Sequence, residues 1–386
     1  MISDQAYSPV PLLDLSRQYK TIQAEMDQAI LDVNTSGMFV LGPEVKKLEQ
    51  AIMEYSRTKY AIGCASGSDA LLLALLAYKI GPGDEVIVPS FTFFATASCV
   101  ARLGATPVFA DIDPITFNLD PKDVDAKITS RTKAIIPVHL FGQVAEMEAL
   151  QKITKNSADP ARQKIALVED AAQAIGADLN DIRTGSWGDF SCLSFYPTKN
   201  LGGAGDGGML LTNDEKLAHE VQILRVHGME PRYYHHKIGL NSRLDAYQAA
   251  VLNVKLPHLD DWTDKRTANA ARYQTLFADA GLDTVLGLPQ KIGNRRHVWN
   301  QYVVRIPDGK RDQLRQYLLD HKIGCDIYYP LGLHEQVCFK YLNYAPEDLP
   351  ETWKATREVL ALPIYPELRS DEQEIVVRTI RSFFDK

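Results

Sequence analysis

The sequence predicts an α/β fold in which a mostly parallel, mixed sheet lies between helices. Short apolar, β-prone segments alternate with helical segments between residues 61 and 212, and such repeats place helices on both faces of a largely parallel sheet. From Val298 the pattern changes to that of a smaller α+β domain. The 386 residues are enough for two cores. We therefore divide the chain into a large domain, residues 1–260, and a small C-terminal domain, residues 261–386.

Each element follows from its local pattern. Apolar residues at helical spacing predict a helix over 16–36, and Pro43 occupies a first-turn position of the next helix. Strands are predicted at 61–65, 85–89, 106–112, 133–138, 165–169, 190–195 and 208–212, with helices at 70–78, 91–103 and 144–153 and a loop at 156–164. Ser242 is expected to cap a helix over 243–256, where Pro257 kinks it or starts another that reaches residue 280. The small domain is predicted to contain strands at 298–306 and 324–329 and helices at 311–321 and 371–384.

Composition excludes several classes of function. Hydrophobic residues make up 45% and charged residues 24%, as in ordinary soluble proteins. The net charge of -7 argues against broad binding to nucleic acid or anionic membranes. No charged-then-apolar N-terminal signal is visible, and the longest apolar run, 70–77, is too short to span a bilayer. We expect a cytoplasmic protein with no nucleic-acid or membrane partner.

The cysteines and histidines do not form a metal site in the sequence. Five cysteines show no Cys-x-x-Cys spacing and are expected to be reduced, packed thiols. The nine histidines form no His-Glu-x-x-His pattern, and the pair His235-His236 is expected in a solvated loop. No metal is predicted.

Residues 191–208 carry the chemistry around which the chain is organised. An apolar, β-prone segment breaks at Pro197, then Lys199 follows, and five glycines come after it. A lysine held beside a packed strand loses its proton more easily than one in water, and an unprotonated amine is the nucleophile that condenses with an aldehyde. The alternative, a solvated lysine on a glycine-rich hairpin, stays open on this stretch alone.

Two further features complete a candidate pocket. Residues 66–69 precede a helix and provide the free N–H groups that suit a phosphate, although for this stretch alone an ordinary cap by Ser68 or Asp69, which needs no ligand, is the preferred explanation. Asp170 ends a buried strand, and ligands of such sheets bind at the carboxyl ends of strands. Pyridoxal phosphate needs a phosphate site, a carboxylate for its ring nitrogen and a lysine for its aldehyde. Phe93 is placed to stack on the ring.

These motifs together resemble the DegT/DnrJ/EryC1/StrS family of nucleotide-sugar aminotransferases, which have the type I fold of pyridoxal-phosphate enzymes. The likeness runs nearly end to end and depends on motif number and order rather than on one piece. It rests on the segments 13–15 with 18–19, 42–45, 66–71, 89–93, 168–173, 194–199 and 239–243.

The resemblance implies a role for each matching residue. Lys199 would form the Schiff base with the cofactor and then shuttle a proton, and Asp170 would pair with the pyridinium nitrogen. Gln173 would contact the ring or its phenolic oxygen, and Phe93 would stack on it. The phosphate would be bound by Gly67, Ser68 and Ser194, and by Asn241 from the neighbouring subunit of a homodimer with shared active sites. From spacing alone, Asn241 is instead a turn residue before Ser242.

The substrate contacts implied by the resemblance are Gly37, Phe39, Thr198, Arg243, Tyr328, Tyr329 and His334. Relatives often carry histidine where Tyr328 stands and proline where Gly332 stands, so this chain departs from the pattern in the sugar site. Arg243 would pair with a carboxylate or phosphate of the substrate, or would simply be a solvated arginine at a helix start.

Three functions follow from these residues. The first is a transaminase that takes an amino group from L-glutamate, cycles the cofactor through pyridoxamine 5'-phosphate, and aminates a keto group of a UDP- or dTDP-linked sugar, at carbon 3 rather than carbon 4. Such a reaction serves amino-sugar, O-antigen or other surface-polysaccharide biosynthesis. The second is a sugar dehydratase, disfavoured because those relatives replace the lysine with histidine. The third is a non-catalytic regulator that retains the fold.

Overall fold

The structure is a computed structural model that describes residues 9–385. Within that range the helices are α1 (Leu15–Ser36), α2 (Pro43–Ser56), α3 (Gly67–Ala77), α4 (Ala95–Arg102), α5 (Pro121–Lys127), α6 (Met147–Ile153), α7 (Glu215–Leu224), α8 (Ala246–Lys255), α9 (Leu259–Asp279), α10 (Arg311–Asp320), α11 (Pro350–Glu358) and α12 (Ser370–Phe384). The strands are β1 (Tyr60–Cys64), β2 (Glu85–Pro89), β3 (Thr106–Ala110), β4 (Thr132–Ile135), β5 (Ala166–Asp170), β6 (Asp178–Leu179), β7 (Ile182–Arg183), β8 (Phe190–Ser194), β9 (Gly208–Thr212), β10 (Arg295–Arg296), β11 (Tyr302–Arg305) and β12 (Val359–Leu362).

The central sheet confirms the predicted α/β fold. Its seven strands lie in the order β1-β9-β8-β5-β4-β2-β3. Adjacent strands from β8 to β3 run parallel, whereas β9 is antiparallel to both β8 and β1. The sheet is therefore mixed but mostly parallel, and six of its strands end at the same edge.

Helices cover both faces of this sheet because its strands are apolar on both sides. One buried cluster packs α2, α6 and α8 against it, with Leu48, Leu167 and Leu252 fully enclosed. A second cluster packs α3, α4 and α7 on the other face, around Leu73, Val100 and Val168.

The C-terminal part contains a separate hydrophobic cluster. The antiparallel pair β11–β12 packs with α9, α10 and α12 around Tyr273, Tyr302 and Tyr365. The N-terminal segment joins it, because Val10 accepts a hydrogen bond from the N–H of Gly324 at 2.8 Å. Pro257 lies in a short 3-10 turn between α8 and α9, as the sequence predicts for this proline. The division at residues 260 and 261 stays a prediction.

The helix predicted over 91–103 begins later than expected. Phe91 is fully buried against Phe117 and Tyr329, and α4 starts only at Ala95. The turn between β2 and α4 thus packs one aromatic ring inside and leaves the ring of Phe93 outside the core. This turn places Phe93 at the edge of the sheet.

Two predictions in the second half are wrong. Ser242 does not cap α8, because its hydroxyl accepts from the N–H of Ala65 at 3.3 Å and the helix begins at Ala246, after Asp245. Residues 324–329 form no strand beyond a single bridge between Asp326 and Ala361. The carboxylate of Asp326 takes the N–H of Ile327 at 2.8 Å, which removes that donor from any ladder.

Several elements of the structure were not predicted from the sequence: α5, α7, α11 and β12. Asp111 explains why α11 forms, since its carboxylate accepts the first-turn N–H groups of Glu351 and Thr352 at 2.9 and 2.8 Å. That cap comes from a residue 240 positions away in the chain, so the residues around α11 do not predict it.

The cysteines are free thiols, and four of them are buried as expected, whereas Cys338 is exposed. Among residues 9–385, no helix combines the length and apolar character that a membrane crossing requires. Across the same residues, no group of three or more histidine, cysteine, aspartate or glutamate side chains is placed to hold a metal ion.

Candidate active site

A cavity of about 680 Å³ lies beyond the carboxyl ends of β5 and β8. Asp170 is the last residue of β5 and Ser194 the last of β8, so the strand ends deliver both side chains to it. Of the residues selected from the sequence, those that line the cavity are Gly67, Ser68, Phe93, Asp170, Gln173, Ser194, Thr198, Lys199, Tyr328 and Tyr329. The carboxylate, the amine and the helix start thus lie in one cleft.

Asp170 is buried and its carboxylate is held from two directions. Thr96 on α4 donates its hydroxyl to Oδ2 at 2.8 Å, and the N–H of Ala172 donates to Oδ1 at 3.2 Å. Burial raises the pKa of Asp170, whereas these two hydrogen bonds and the nearby charge of Lys199 work against that rise. The carboxylate keeps free lone pairs on the cavity side for a cationic partner.

Lys199 is half-buried on the loop that follows β8. Burial lowers the pKa of its amine to about 8, and the charge of Asp170 opposes this shift without cancelling it. With that pKa, roughly a tenth of the amine is unprotonated at pH 7 and about half at pH 8, far more than for a lysine in water. The loop is fixed by its own backbone, since the N–H of Lys199 donates to the Tyr196 carbonyl at 2.8 Å. Such an amine is a nucleophile held in place.

The start of α3 is open to the cavity. Ser66, and not Ser68 or Asp69, is the N-cap, and its hydroxyl accepts from the N–H of Asp69 at 3.1 Å. The Ser66 carbonyl takes the N–H of Ala70. Gly67 and Ser68 therefore supply the first-turn N–H groups that remain for a ligand, at the positive end of the helix dipole.

Aromatic and amide groups border the same space. Phe93 is 59% exposed, and the centroid of its ring lies 6.5 Å from that of Tyr329. Gln173 accepts from the N–H of Phe141 at 2.6 Å through Oε1 and donates from Nε2 to the Tyr329 hydroxyl at 3.4 Å. The amide is thereby oriented with its NH₂ group toward the cavity wall, while Phe93 presents an open face.

Four selected residues lie at the surface or before α8, away from this cavity, within the described chain. Gly37 ends α1, and Phe39 stacks on Tyr247 with centroids 5.7 Å apart. Asn241 and Arg243 precede α8, and Asn241 is exposed in a bridge with Val226. None of these is among the side chains that line the cavity.

His334 is also placed away from the cavity, but inside the protein. Its ring is buried, with Nδ1 2.6 Å from the Ser90 hydroxyl, and its backbone N–H donates to the same oxygen at 3.2 Å. Burial lowers the pKa of His334, in keeping with a neutral ring that shares this hydrogen bond with Ser90. The contacts describe a core histidine.

The sequence reading missed Thr92, Thr96 and Gln301 as residues at or behind the site. Thr92 and Gln301 line the cavity, and Thr96 is the donor to Asp170. Threonines in an apolar segment carry no local signal of a contact 74 positions away. The position after a strand, in the turn before α4, is the one clue that points to Thr92.

The residues present fit pyridoxal phosphate. An amine with a pKa lowered to about 8 suits the aldehyde, and a carboxylate with free lone pairs suits the ring nitrogen. The open N–H groups at the start of α3 suit the phosphate. Fold and site together define an enzyme of the pyridoxal-phosphate type, with the features of an aminotransferase.

Comparison with known proteins agrees with that class. The family model described as the DegT/DnrJ/EryC1/StrS aminotransferase family matches residues 20–381. The chain belongs to this family, and it is a pyridoxal-phosphate-dependent transaminase.

Individual relatives cover nearly the whole chain. A protein of Geobacillus stearothermophilus called "Pleiotropic regulatory protein" is 51% identical over 97% of this chain and 98% of its own length. The UDP-N-acetyl-3-dehydro-alpha-D-glucosamine 3-aminotransferase of Acidithiobacillus ferrooxidans is 40% identical over 96% of this chain and 97% of its own. The crystal structure of S. venezuelae DesV in complex with a ketimine intermediate matches with a TM-score of 0.93 and 40% identity, over 98% of this chain and 100% of that one.

Proposed function

We propose that this transaminase moves an amino group from L-glutamate to the 3-keto group of a UDP- or dTDP-linked sugar. The observation that carries the proposal is the placement of Lys199 and Asp170 in one cavity, with the amine's pKa lowered to about 8. When bound, pyridoxal phosphate would supply an electron-withdrawing ring that stabilises negative charge on the substrate carbon, and pyridoxamine 5'-phosphate would be its aminated form.

The residues of this chain have distinct tasks in that reaction. The Lys199 amine would hold the cofactor at its aldehyde and, when free, would move the proton to and from the substrate carbon. The carboxylate of Asp170 keeps a proton on the ring nitrogen, because an ionised neighbour favours the positive form. Gly67, Ser68 and Ser194 hold the phosphate, Phe93 stacks on the ring, and Gln173 contacts the ring or its phenolic oxygen.

The sugar position is proposed from two sources. Thr198, Tyr328 and Tyr329 line the cavity and are available to a substrate. The name of the Acidithiobacillus relative states that it acts at carbon 3 of a UDP-linked sugar, which supports carbon 3 rather than carbon 4 here. UDP and dTDP both stay in the proposal, as does L-glutamate as the donor by analogy with the family.

The residues outside the cavity are assigned to a homodimer. Phe39 and Asn241 are exposed on this chain, so a second copy is able to receive them. In the proposed dimer Asn241 reaches the phosphate in the partner's site, and Gly37, Phe39 and Arg243 contact the sugar nucleotide there. His334 is proposed to affect substrate binding only through the core contact with Ser90. A cytoplasmic location and a role in surface-polysaccharide biosynthesis complete the proposal.

A panel of keto-sugar nucleotides tests the function directly. Purified protein is incubated with glutamate and 3-keto or 4-keto sugars carrying UDP or dTDP, and the amino sugar is identified by its mass. The proposal expects a 3-amino product that is lost in Lys199→Ala while the fold survives. A 4-amino product would show that the enzyme aminates carbon 4 rather than carbon 3. A folded protein that does not bind the cofactor would contradict the proposal as a whole.

A regulatory role is a second candidate because the Geobacillus relative is called a pleiotropic regulatory protein. The intact pair of Lys199 and Asp170 argues for retained chemistry even if such a role exists. Replacing Lys199 with alanine in cells separates the two: a regulator keeps its biological effect, whereas a transaminase loses it. A dehydratase is disfavoured because those relatives have histidine in place of this lysine.

A further inference from the structure

Burial and the proposed role of Asp170 favour opposite protonation states of its carboxyl. Burial raises the pKa of its carboxyl, which favours the protonated form. The proposed pairing with the cofactor's ring nitrogen needs the ionised form, since only that form keeps the shared proton on the ring. A hydrogen-bond donor to the ionised carboxylate would lower the pKa of Asp170 and so oppose the effect of burial.

Thr96 is that donor. Its hydroxyl lies 2.8 Å from Oδ2 of Asp170 and is fully buried, so water does not compete for the bond. A hydroxyl has one proton. An ionised carboxylate only accepts, so the proton of Thr96 is committed to Asp170. Hydrogen bonds to charged groups are stronger than those between neutral partners.

A second threonine is hydrogen-bonded to the Thr96 hydroxyl. The hydroxyls of Thr92 and Thr96 lie 3.2 Å apart, and both residues are buried. With its own proton on Asp170, Thr96 accepts here and Thr92 donates. The result is a chain of two hydroxyls that ends on the carboxylate and starts at the cavity wall, where Thr92 lies.

Other groups around Asp170 do not replace this donor. Lys199 is the opposite charge in the cavity, and it lowers the pKa of Asp170 less than Thr96 or the Ala172 N–H does. The ring of His139 is bonded to Glu169 at 2.9 Å. Cys99, Cys192 and Tyr329 also lie close enough for the charge of Asp170 to act on them, and burial with that charge raises the pKa of each, which keeps all three neutral.

We propose that Thr96 is a positioning residue for the cofactor's ring nitrogen: its hydroxyl, oriented by Thr92, keeps Asp170 ionised and leaves the carboxylate's remaining lone pairs facing the cavity. The inference rests on the proposed cofactor site. It assigns no contact between Thr96 and the cofactor, because Thr96 acts through Asp170 alone.

The test is the affinity of the full-length protein for pyridoxal phosphate, measured across pH 5–9 for wild type, Thr96→Ser, Thr96→Val and Thr92→Val. Thr96→Val removes a donor to the ionised carboxylate, so the pKa of Asp170 rises. We expect the acid limb of the profile to move upward by about one pH unit, so that the affinity falls by up to about tenfold at the pH values on that limb. Thr96→Ser keeps the hydroxyl and stays within about twofold of wild type. Thr92→Val is expected to move the acid limb upward by less than Thr96→Val does.

Thr154→Val is the matched control. Thr154 is also fully buried, but its hydroxyl donates to the Leu150 carbonyl at 3.0 Å, away from the cavity. Its replacement is expected to lower thermal stability without moving the acid limb.

The proposal is overturned if Thr96→Val loses stability as Thr154→Val does and keeps the wild-type profile. Should Thr96→Val not fold, an unshifted acid limb in Thr92→Val overturns it equally. Wild-type protein that fails to bind pyridoxal phosphate overturns the proposed function and this inference together, whereas a normal wild type with unshifted variants overturns this inference alone.

Discussion

Gly67 and Ser194 are packed so closely that a methyl group on Gly67 would lie 2.7 Å from the Cβ of Ser194. Side chains do not tolerate that separation, so the helix start of α3 meets the end of β8 only because residue 67 is glycine. The contact joins two of the groups assigned to the phosphate.

Gly67→Ala is therefore expected to push α3 away from β8. We predict a loss of about 1–3 kcal/mol in unfolding free energy, as for other overpacked sites, together with weaker affinity for pyridoxal phosphate. Denaturant unfolding and cofactor titration measure the two effects. Gly81→Ala is the control, since a Cβ there would meet no atom within 4 Å, and wild-type behaviour is expected from it. Equal effects of both substitutions would contradict the packing argument.

Asp170→Asn removes the charge while keeping the shape. Hydrogen bonds to charged groups contribute about 1.5–3 kcal/mol, so the affinity for pyridoxal phosphate should fall roughly 10- to 150-fold. The protein should stay folded, because the amide oxygen still accepts from Thr96 and only the longer bond from the Ala172 N–H is lost. Equilibrium dialysis gives the affinity, and thermal unfolding reports the fold.

Asp111→Asn is the matched change at a buried carboxylate with a structural task. Asp111 accepts from the backbone at the start of α11, so its replacement should lower the unfolding free energy and leave cofactor affinity intact. An affinity loss in Asp111→Asn as large as in Asp170→Asn would mean that the effect is not specific to the cavity.

Lys255 gives the protein a pH-dependent stability. Its buried amine donates to the Gly202 carbonyl at 2.7 Å, and burial lowers its pKa to about 8 from 10.5. Between those values the unfolded chain binds more protons than the folded one, so this group makes the unfolding free energy rise with pH. Below pH 8 the amine is protonated in both the folded and the unfolded chain, so it no longer makes the unfolding free energy depend on pH.

Lys255→Met should remove this dependence. Chemical unfolding of the cofactor-free protein at pH 7 and pH 10.5 measures it as the difference between wild type and variant, in which the other titrating groups cancel. The unfolding free energy of wild type should increase relative to that of Lys255→Met when the pH is raised from 7 to 10.5. A difference that stays constant would show that the amine titrates normally in the folded protein.

The parts of the site that could be predicted are those set by topology. Because strands of a parallel sheet end at one edge, Asp170 and Lys199 could be placed together from their positions after predicted strands. The same argument placed the start of α3 beside them, although the cap proved to be Ser66.

Contacts between distant segments could not be predicted in this way. His334 was assigned to the substrate site by resemblance to the family, yet its hydrogen bond with Ser90 holds the ring in the core. Thr96 lies in a segment where helical pattern and burial explain its presence without any site. Asp326 removes a donor from the predicted strand at 324–329 through its own side chain. Each outcome depends on a hydrogen bond that only the folded chain reveals.

The most direct test of the account is the covalent partner of pyridoxal phosphate. The protein is incubated with the cofactor, reduced with borohydride, digested, and its peptides are weighed. We predict that the peptide containing Lys199 gains the mass of the reduced cofactor, and that Lys199→Ala gains none. A protein that remains folded and unlabelled, or that is labelled at a different lysine such as Lys255, would contradict the assignment of Lys199.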